Sequence, residues 1–347
     1  MHAAKTALLS RLLPAVSLAA FVCLALYFLT PFRLNQLTLV TSYCIALIGL
    51  NIVVDLAGQI SLAHGAFFAI GAYGTAILVA KGGLPFPLAL LGAGFVSMAT
   101  GFACGLPALR LKGHYLAVAT LALSVAVPPI ANRWTNLTGG SSGLEMGQIA
   151  VPAWLPLGQD AYLFLWAVGI AALVMAAANR LAASPYGTSL TAIRENEVAA
   201  VAMGTNLAIS KVSAFAVSAL LAGIGGGIFA QGVGFVAPEN FGPVLSLMFL
   251  AGLVIGGTGS FYGAIIGALF LRLIPDYAAE IDRYLAGILF GVAIILCLRF
   301  MPEGPYVAIV RLLQRARLKQ SSTSPHSDNL TNPAVLTKEE TNEIEAN

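Results

Sequence analysis

Three stretches of the chain put polar side chains where they need an explanation. The first is DLAGQISLAHG, residues 55–65, which sets Asp55, Gln59, Ser61 and His64 beside a long apolar run. The second is GGTGSFYG, residues 256–263, which breaks another apolar run with Gly257, Thr258 and Ser260. The third runs from Arg180 to Lys211 and carries Arg180, Arg194, Glu195, Glu197 and Lys211, whereas residues 212–271 carry a single charge, Glu239. Amides, hydroxyls and an imidazole in such settings can hold and pass a polar group. No nucleophile, metal cluster or phosphate-binding loop accompanies them. GxxxxGK[ST], GxGxxG and HExxH are all absent. Gly223-Ile-Gly225-Gly-Gly227 only looks like a nucleotide loop, because Ile228 fills the place of its final glycine.

The elements that must position these residues follow from composition. Of 347 residues, 58% are hydrophobic and 10% are charged, and the mean hydropathy is +0.86. A soluble domain is nearer a quarter charged, so the chain is expected to be an all-α polytopic membrane protein in a lipid bilayer. The net charge of +3 suggests no nucleic-acid partner. Cys23, Cys44, Cys104 and Cys297 each lie in an apolar run and form no CxxC pair, so they read as small buried hydrophobes. No cofactor is expected.

A membrane span needs about 20 mostly apolar residues. Candidates fall near 12–30, 37–55, 64–80, 86–109, 115–131, 160–179, 208–233, 243–257, 262–275 and 284–301, which makes ten spans. The run that follows Lys5 and Arg11 is of span length and ends in aromatic residues, so it reads as a first span rather than a cleaved signal. With both termini inside, only Arg33, Lys81, Arg133, Arg272 and Arg283 of the 18 lysines and arginines lie outside or at span ends. That asymmetry puts both ends in the cytoplasm. The acidic group Asp276, Glu280, Asp282 then falls outside, and residues 132–159 form the longest external connection. Residues 1–304 read as one transmembrane domain. Residues 305–319 read as a basic membrane-surface segment, and 320–347 as a disordered cytoplasmic tail.

The third stretch becomes cytoplasmic. Ser184-Pro185 followed by Gly187 reads as a turn. Asn196 can cap a short helix from Glu197 to Met203, and Gly204 can end it. Glu195 and Glu197 then sit where a helix N-terminus favours negative charge. Such an element reads as a docking helix or as an ordinary loop. The other two stretches are glycine-broken backbone inside apolar runs, which survives at membrane depth only where protein or a water-filled cavity covers it. Matched breaks in two related halves point to a path between them, bordered by Gln59, Ser61 and His64 on one side and Gly257, Thr258 and Ser260 on the other. His64 reads equally well as a satisfied structural histidine. GxxxG pairs at Gly101/Gly105, Gly223/Gly227, Gly263/Gly267 and Gly287/Gly291 read as helix packing.

Taken together, several blocks resemble the permeases of branched-chain amino-acid ABC transporters. They are GLNIVVDLAGQISLAHGAFFAIGAYG (49–74), LRLKGHYLAVATLAL (109–123), LTGGSSGL (137–144), SPYGTSLTAIRENEVAAVAMG (184–204), SAFAVSALLAGIGGGIFA (213–230) and LMFLAGLVIGGTGSFYGAIIGALF (247–270). They occur in family order and cover roughly residues 40–300. The resemblance implies an inner-membrane subunit with the ABC-importer permease fold. It implies a second related permease, two cytoplasmic ATPase subunits and an external solute-binding protein as partners. Residues 184–204 would be the coupling loop that enters a cleft on the ATPase. Glu197, Ala199, Ala200 and Gly204 take the places of its EAA-type motif, with Val198 interrupting it and Arg194 and Glu195 preceding it. Ala63 stands where many relatives carry glycine. The solute implied is a branched-chain or other hydrophobic amino acid, with urea or a short amide as the alternative within the same class. A stand-alone ion-coupled carrier would call for a charge well inside a span. Asp55 and Arg272 are the candidates, and both are expected near span ends. An intramembrane enzyme would need a nucleophile or metal cluster, and none is visible. The chain carries no ATPase site of its own.

Overall fold

The computed structural model describes residues 17–111, 113–147, 149, 151–152 and 155–281, with scattered residues between 287 and 299. The expected span at 284–301 is described only in part. The basic segment 305–319 and the tail 320–347 lie outside the described residues. The described chain is helical apart from one two-residue strand pair. Its helices are α1 (Ser17–Phe28), α2 (Pro31–Asn51), α3 (His64–Ala80), α4 (Phe86–Ala108), α5 (His114–Arg133) and the single turn α6 (Thr135–Thr138). They continue with α7 (Gln159–Ala182), α8 (Pro185–Glu195), α9 (Glu197–Ala202), α10 (Leu207–Val233), α11 (Pro243–Gly256) and α12 (Gly263–Ile281). Among the described residues, five helices are long and apolar enough to cross a membrane: α2 with its extension to Leu56, α4, α5, α7 and α10. Helices α3 and α11 are apolar but shorter.

The bundle is built around α10. Its glycine cluster lets three helices approach one backbone. A side chain at Gly225 would meet Ser42 of α2, one at Gly226 would meet Phe68 of α3, and one at Gly223 would meet Ser97 of α4. Small residues are what allow helices to close in lipid, where no hydrophobic force drives them together. Gly101 and Gly105 of α4 answer from the other side by admitting Phe215 and Val212 of α10. Consequently α2 and α10 are mostly enclosed, whereas α5 and α7 are mostly exposed and present large apolar side chains such as Val118, Val125 and Leu173 outward. Gly263 and Gly267 of α12 close onto Gly256 and Gly252 of α11, making these two a tight hairpin. Gly287 and Gly291 meet nothing within 4 Å.

Two boundaries differ from the sequence reading. Pro275 does not end the ninth helix. α12 runs on to Ile281, so Arg272 is not near its end and Asp276 lies inside the helix rather than in a loop. Proline removes one hydrogen bond and crowds the preceding turn, but the helix has already packed on α2 and α11 and continues through it. Arg272 pairs with Asp276 one turn on at 2.5 Å, each side chain about a quarter exposed (28% and 26%). Arg272 Nε and Asp276 Oδ2 are buried with no hydrogen-bond partner among the described residues. The second difference is at Ser184-Pro185, which opens a helix instead of a turn. Ser184 Oγ accepts from Gly187 N at 3.3 Å, and Pro185 takes the first helical position, where its missing N–H costs nothing.

At the end of the bundle remote from α8 and α9, the described residues around 136–147 are tied down rather than loose. Leu144–Glu145 pairs antiparallel with Phe235–Val236, Gln231 Nε2 donates to Gly147 O at 2.9 Å, and Lys81 Nζ donates to the carbonyls of Asn136 and Leu137.

Candidate coupling helix and solute path

The short helix α9 is fixed at both ends by its own sequence. Asn196 Oδ1 accepts from Val198 N and Ala199 N at 3.0 and 3.1 Å. At the other end Thr205 N bonds Ala200 O and Gly204 N bonds Val201 O, with Gly204 at φ +87°. That is the Schellman arrangement, and it needs a residue free to adopt left-handed backbone. Glu197 is ion-paired at 2.7 Å with Lys211, whose side chain is 6% exposed, at the start of α10. The basic partner of Glu197 therefore lies within the same chain. Ala200 is buried, so it is small because its own chain closes over it and not because another protein must approach. The outward face is instead Val198 (80% exposed), Val201 (50%) and Met203 (87%), with Ala199 beside them. Sequence reasoning passed over these three because Val198 looked like an interruption of the motif.

Helix α8 carries α9 and is itself anchored. Gly187, Leu190 and Ile193 are buried along one face. Tyr186 Oη meets Ser213 Oγ of α10 at 2.7 Å. Burial raises the Tyr186 phenol above its ordinary value and the Ser213 hydrogen bond partly offsets this, so the phenol stays neutral.

The first break is bound to α8. A π-helical turn, Ile52–Leu56, ends α2, and seven irregular residues follow before α3. Arg194 Nη1 donates to Asp55 Oδ1 at 3.0 Å and to Asp55 O. Its aliphatic stem lies over Gly58, where a Cβ would come within 2.5 Å of Arg194 Cγ, and Gly58 has φ +65°. Beyond Gly58 the backbone is held by hydroxyls from other helices. Thr120 Oγ1 of α5 accepts from Leu62 N at 2.9 Å, Ser124 Oγ donates to Leu62 O at 2.6 Å, and Ser246 Oγ of α11 accepts from Gly65 N at 2.9 Å. His64 Nε2 meets Ser218 Oγ of α10 at 2.6 Å. Ser61 and His64 are fully enclosed. Gln59 is 6% exposed, and both polar atoms of its amide lack a hydrogen-bond partner among the described residues. Gln59 lines a cavity of about 390 Å³ together with Gly58, Leu111, Leu116, Ile193 and residues 194–197.

The second break is different. Gly257 is buried, but Thr258 and Gly259 are exposed and Ser260 is half-buried. Ser260 O accepts from Asn51 Nδ2 of α2 at 3.3 Å, which places this break at the same end of the bundle as the first. The structure thus brings Gln59, Arg194, Glu195 and Glu197 around one cavity. Thr258 does not line it, and Ser61 and His64 lie within packed protein beside it.

A helical bundle with interior glycine contacts, a polar break near one end and a capped helix projecting from that end is the architecture of a membrane transport subunit. Comparison with known proteins gives the particular family. Residues 32–298 match the family described as branched-chain amino acid transport system / permease component, and the chain belongs to that family. It is 35% identical over 292 residues to the high-affinity branched-chain amino acid transport system permease protein LivM of Salmonella typhimurium, covering 77% of this chain and 68% of the relative. Against LivM of Escherichia coli the identity is 34% over the same length and the same shares. Against LivH of Escherichia coli it is 25% over 296 residues, 80% of this chain and 95% of the relative. No solved structure matches the chain.

Proposed function

We propose that this chain is one permease subunit of an ATP-driven importer for branched-chain amino acids. It works beside a second, related permease, over two cytoplasmic ATPase subunits, and receives its solute from an external binding protein. Ten spans in two related halves cross the inner membrane, and both termini face the cytoplasm. The similarity to LivM supports the solute class. The observation that carries the coupling role is the exposed apolar tip of α9, with Val198 and Met203 open to solvent on a helix held rigid by two caps and an ion pair. Apolar residues kept bare on an otherwise polar segment mark a docking surface, and a six-residue helix spans only about 9 Å, so a small cleft on the ATPase can receive it.

Movement of the ATPase pair would push α9, and α8 would carry the push through Arg194 to Asp55 and the break before α3. Gln59, Ser61 and His64 border or support the path on that side, and Gly257, Thr258 and Ser260 border it from the α11–α12 hairpin. The test is co-purification of the ATPase subunits with Val198→Asp and Met203→Asp, alongside leucine uptake. Both variants are expected to insert normally and to lose the ATPase on purification. Full retention of the ATPase with normal uptake would make α9 an ordinary loop.

A further inference from the structure

We infer that the cavity between the first break and α8–α9 is a cytoplasm-facing release site for a zwitterionic amino acid with an apolar side chain, with Gln59 holding its head group. This rests on the reading of the chain as an amino-acid importer. A primary amide buried without hydrogen bonds keeps an uncompensated desolvation penalty, and such groups in native proteins have partners that the bare chain does not display. Gln59 is in that position, with Nε2 and Oε1 both unpaired. Most of the polar groups around it are committed elsewhere, and the Glu195 carboxylate, which also lines the cavity, is exposed. Asp55 holds Arg194, Lys211 holds Glu197, and Asn196 Oδ1 caps α9. Among the described residues lining the cavity, Gln59 is the one whose buried amide has both donor and acceptor unmet, which suits a carboxylate on Nε2 and an ammonium on Oε1.

Leu111, Leu116 and Ile193 also line the cavity, which suits an aliphatic side chain. The volume of about 390 Å³ lies within the usual range of about 300–1,000 Å³ for small-molecule pockets. The floor of the cavity is Gly58, and Arg194 forms one wall, so occupancy and the position of α8 are felt by the same residues.

The test uses the assembled transporter in inside-out vesicles, with the native cysteines replaced by alanine and Leu111→Cys as the probe. The rate of labelling by a water-soluble maleimide is measured with millimolar L-leucine, 4-methylpentanoate, isopentylamine or acetamide. L-Leucine is expected to slow labelling severalfold, and the three analogues, each lacking one or more of its groups, are expected to do little. Adding Gln59→Leu, or the more nearly isosteric Gln59→Met where the first fails to insert, should abolish the protection. Normal leucine import without leucine protection, or protection that survives both Gln59 variants, overturns the site and leaves the importer reading standing. Protection equally strong with acetamide overturns the zwitterion assignment. Absence of leucine import by the unmodified transporter overturns the importer reading itself, and the site falls with it.

Discussion

The two glycine-broken stretches look alike in sequence and are built in different ways. The first, residues 57–63, is clamped. Asp55 and Gly58 take Arg194, and hydroxyls from α5 and α11 hold Leu62 and Gly65, while His64 reaches α10. The second, residues 257–260, is a turn at the tip of a hairpin, joined to α2 by one hydrogen bond and open to its surroundings at Thr258 and Gly259. Polar residues within an apolar run therefore have two distinct uses. In the first break they tie irregular backbone to four other elements, so that a push at α8 is felt at α3. In the second they let the chain reverse between helices whose own contact is glycine on glycine.

Several substitutions would break or sharpen this contrast. The largest difference is expected between Gly58→Val and Gly259→Val. Both force a side chain into left-handed backbone at roughly 1–2 kcal/mol, but only at Gly58 does the new Cβ also run into Arg194. Leucine uptake should be lost in the first and only reduced in the second. Equal losses would erase the distinction. Next is Ser246→Ala, which leaves Gly65 N and Ser124 Oγ short of a partner in a buried site and should cost about 1–3 kcal/mol. Thr258→Ala, at an exposed position, should stay within about 0.5 kcal/mol. Thermal unfolding in detergent reads both. Ser61→Leu is expected to impair folding, because Ser61 is fully enclosed, whereas Thr258→Leu is expected to be accommodated and to affect uptake alone. Membrane yield beside uptake separates those outcomes. The stability effect of Asp55→Asn is also small, below about 1 kcal/mol, since the Arg194 side chain is 44% exposed and solvent screens the pair.

How far the sequence could be read depended on the range of the interactions involved. The caps of α9 were legible because Asn196 and Gly204 act on backbone within a few residues of themselves. The apolar runs were legible for the same reason, and helices occupy the runs expected from 37–55 to 262–275. Tertiary contacts were not legible. Pro275 reads as a stop, yet α12 continues through it on packing against α2 and α11. Ser184-Pro185 reads as a turn, yet it supplies the N-cap and first residue of α8. Glu197 and Lys211 are 14 positions apart, and no local rule pairs them. That Ala200 faces inward and Val198 outward is set by where α9 rests on its own chain. The Gln59 cavity is assembled from the first break, the 111–116 region, α8 and α9, and no single stretch of sequence announces it.

The central claim is that α9 acts on the first break through the Asp55–Arg194 pair. It is tested most directly by a charge-swap cycle in proteoliposomes holding the full transporter and its binding protein. Leucine imported per ATP hydrolysed is measured for the unmodified chain, Asp55→Arg, Arg194→Asp and the double exchange. Each single variant should hydrolyse ATP while importing less leucine per ATP. The double exchange should recover a large part of that loss, with an interaction energy of about 0.5–3 kcal/mol. Single variants that import leucine at the unmodified ratio would show that the push from the ATPase does not pass through this pair.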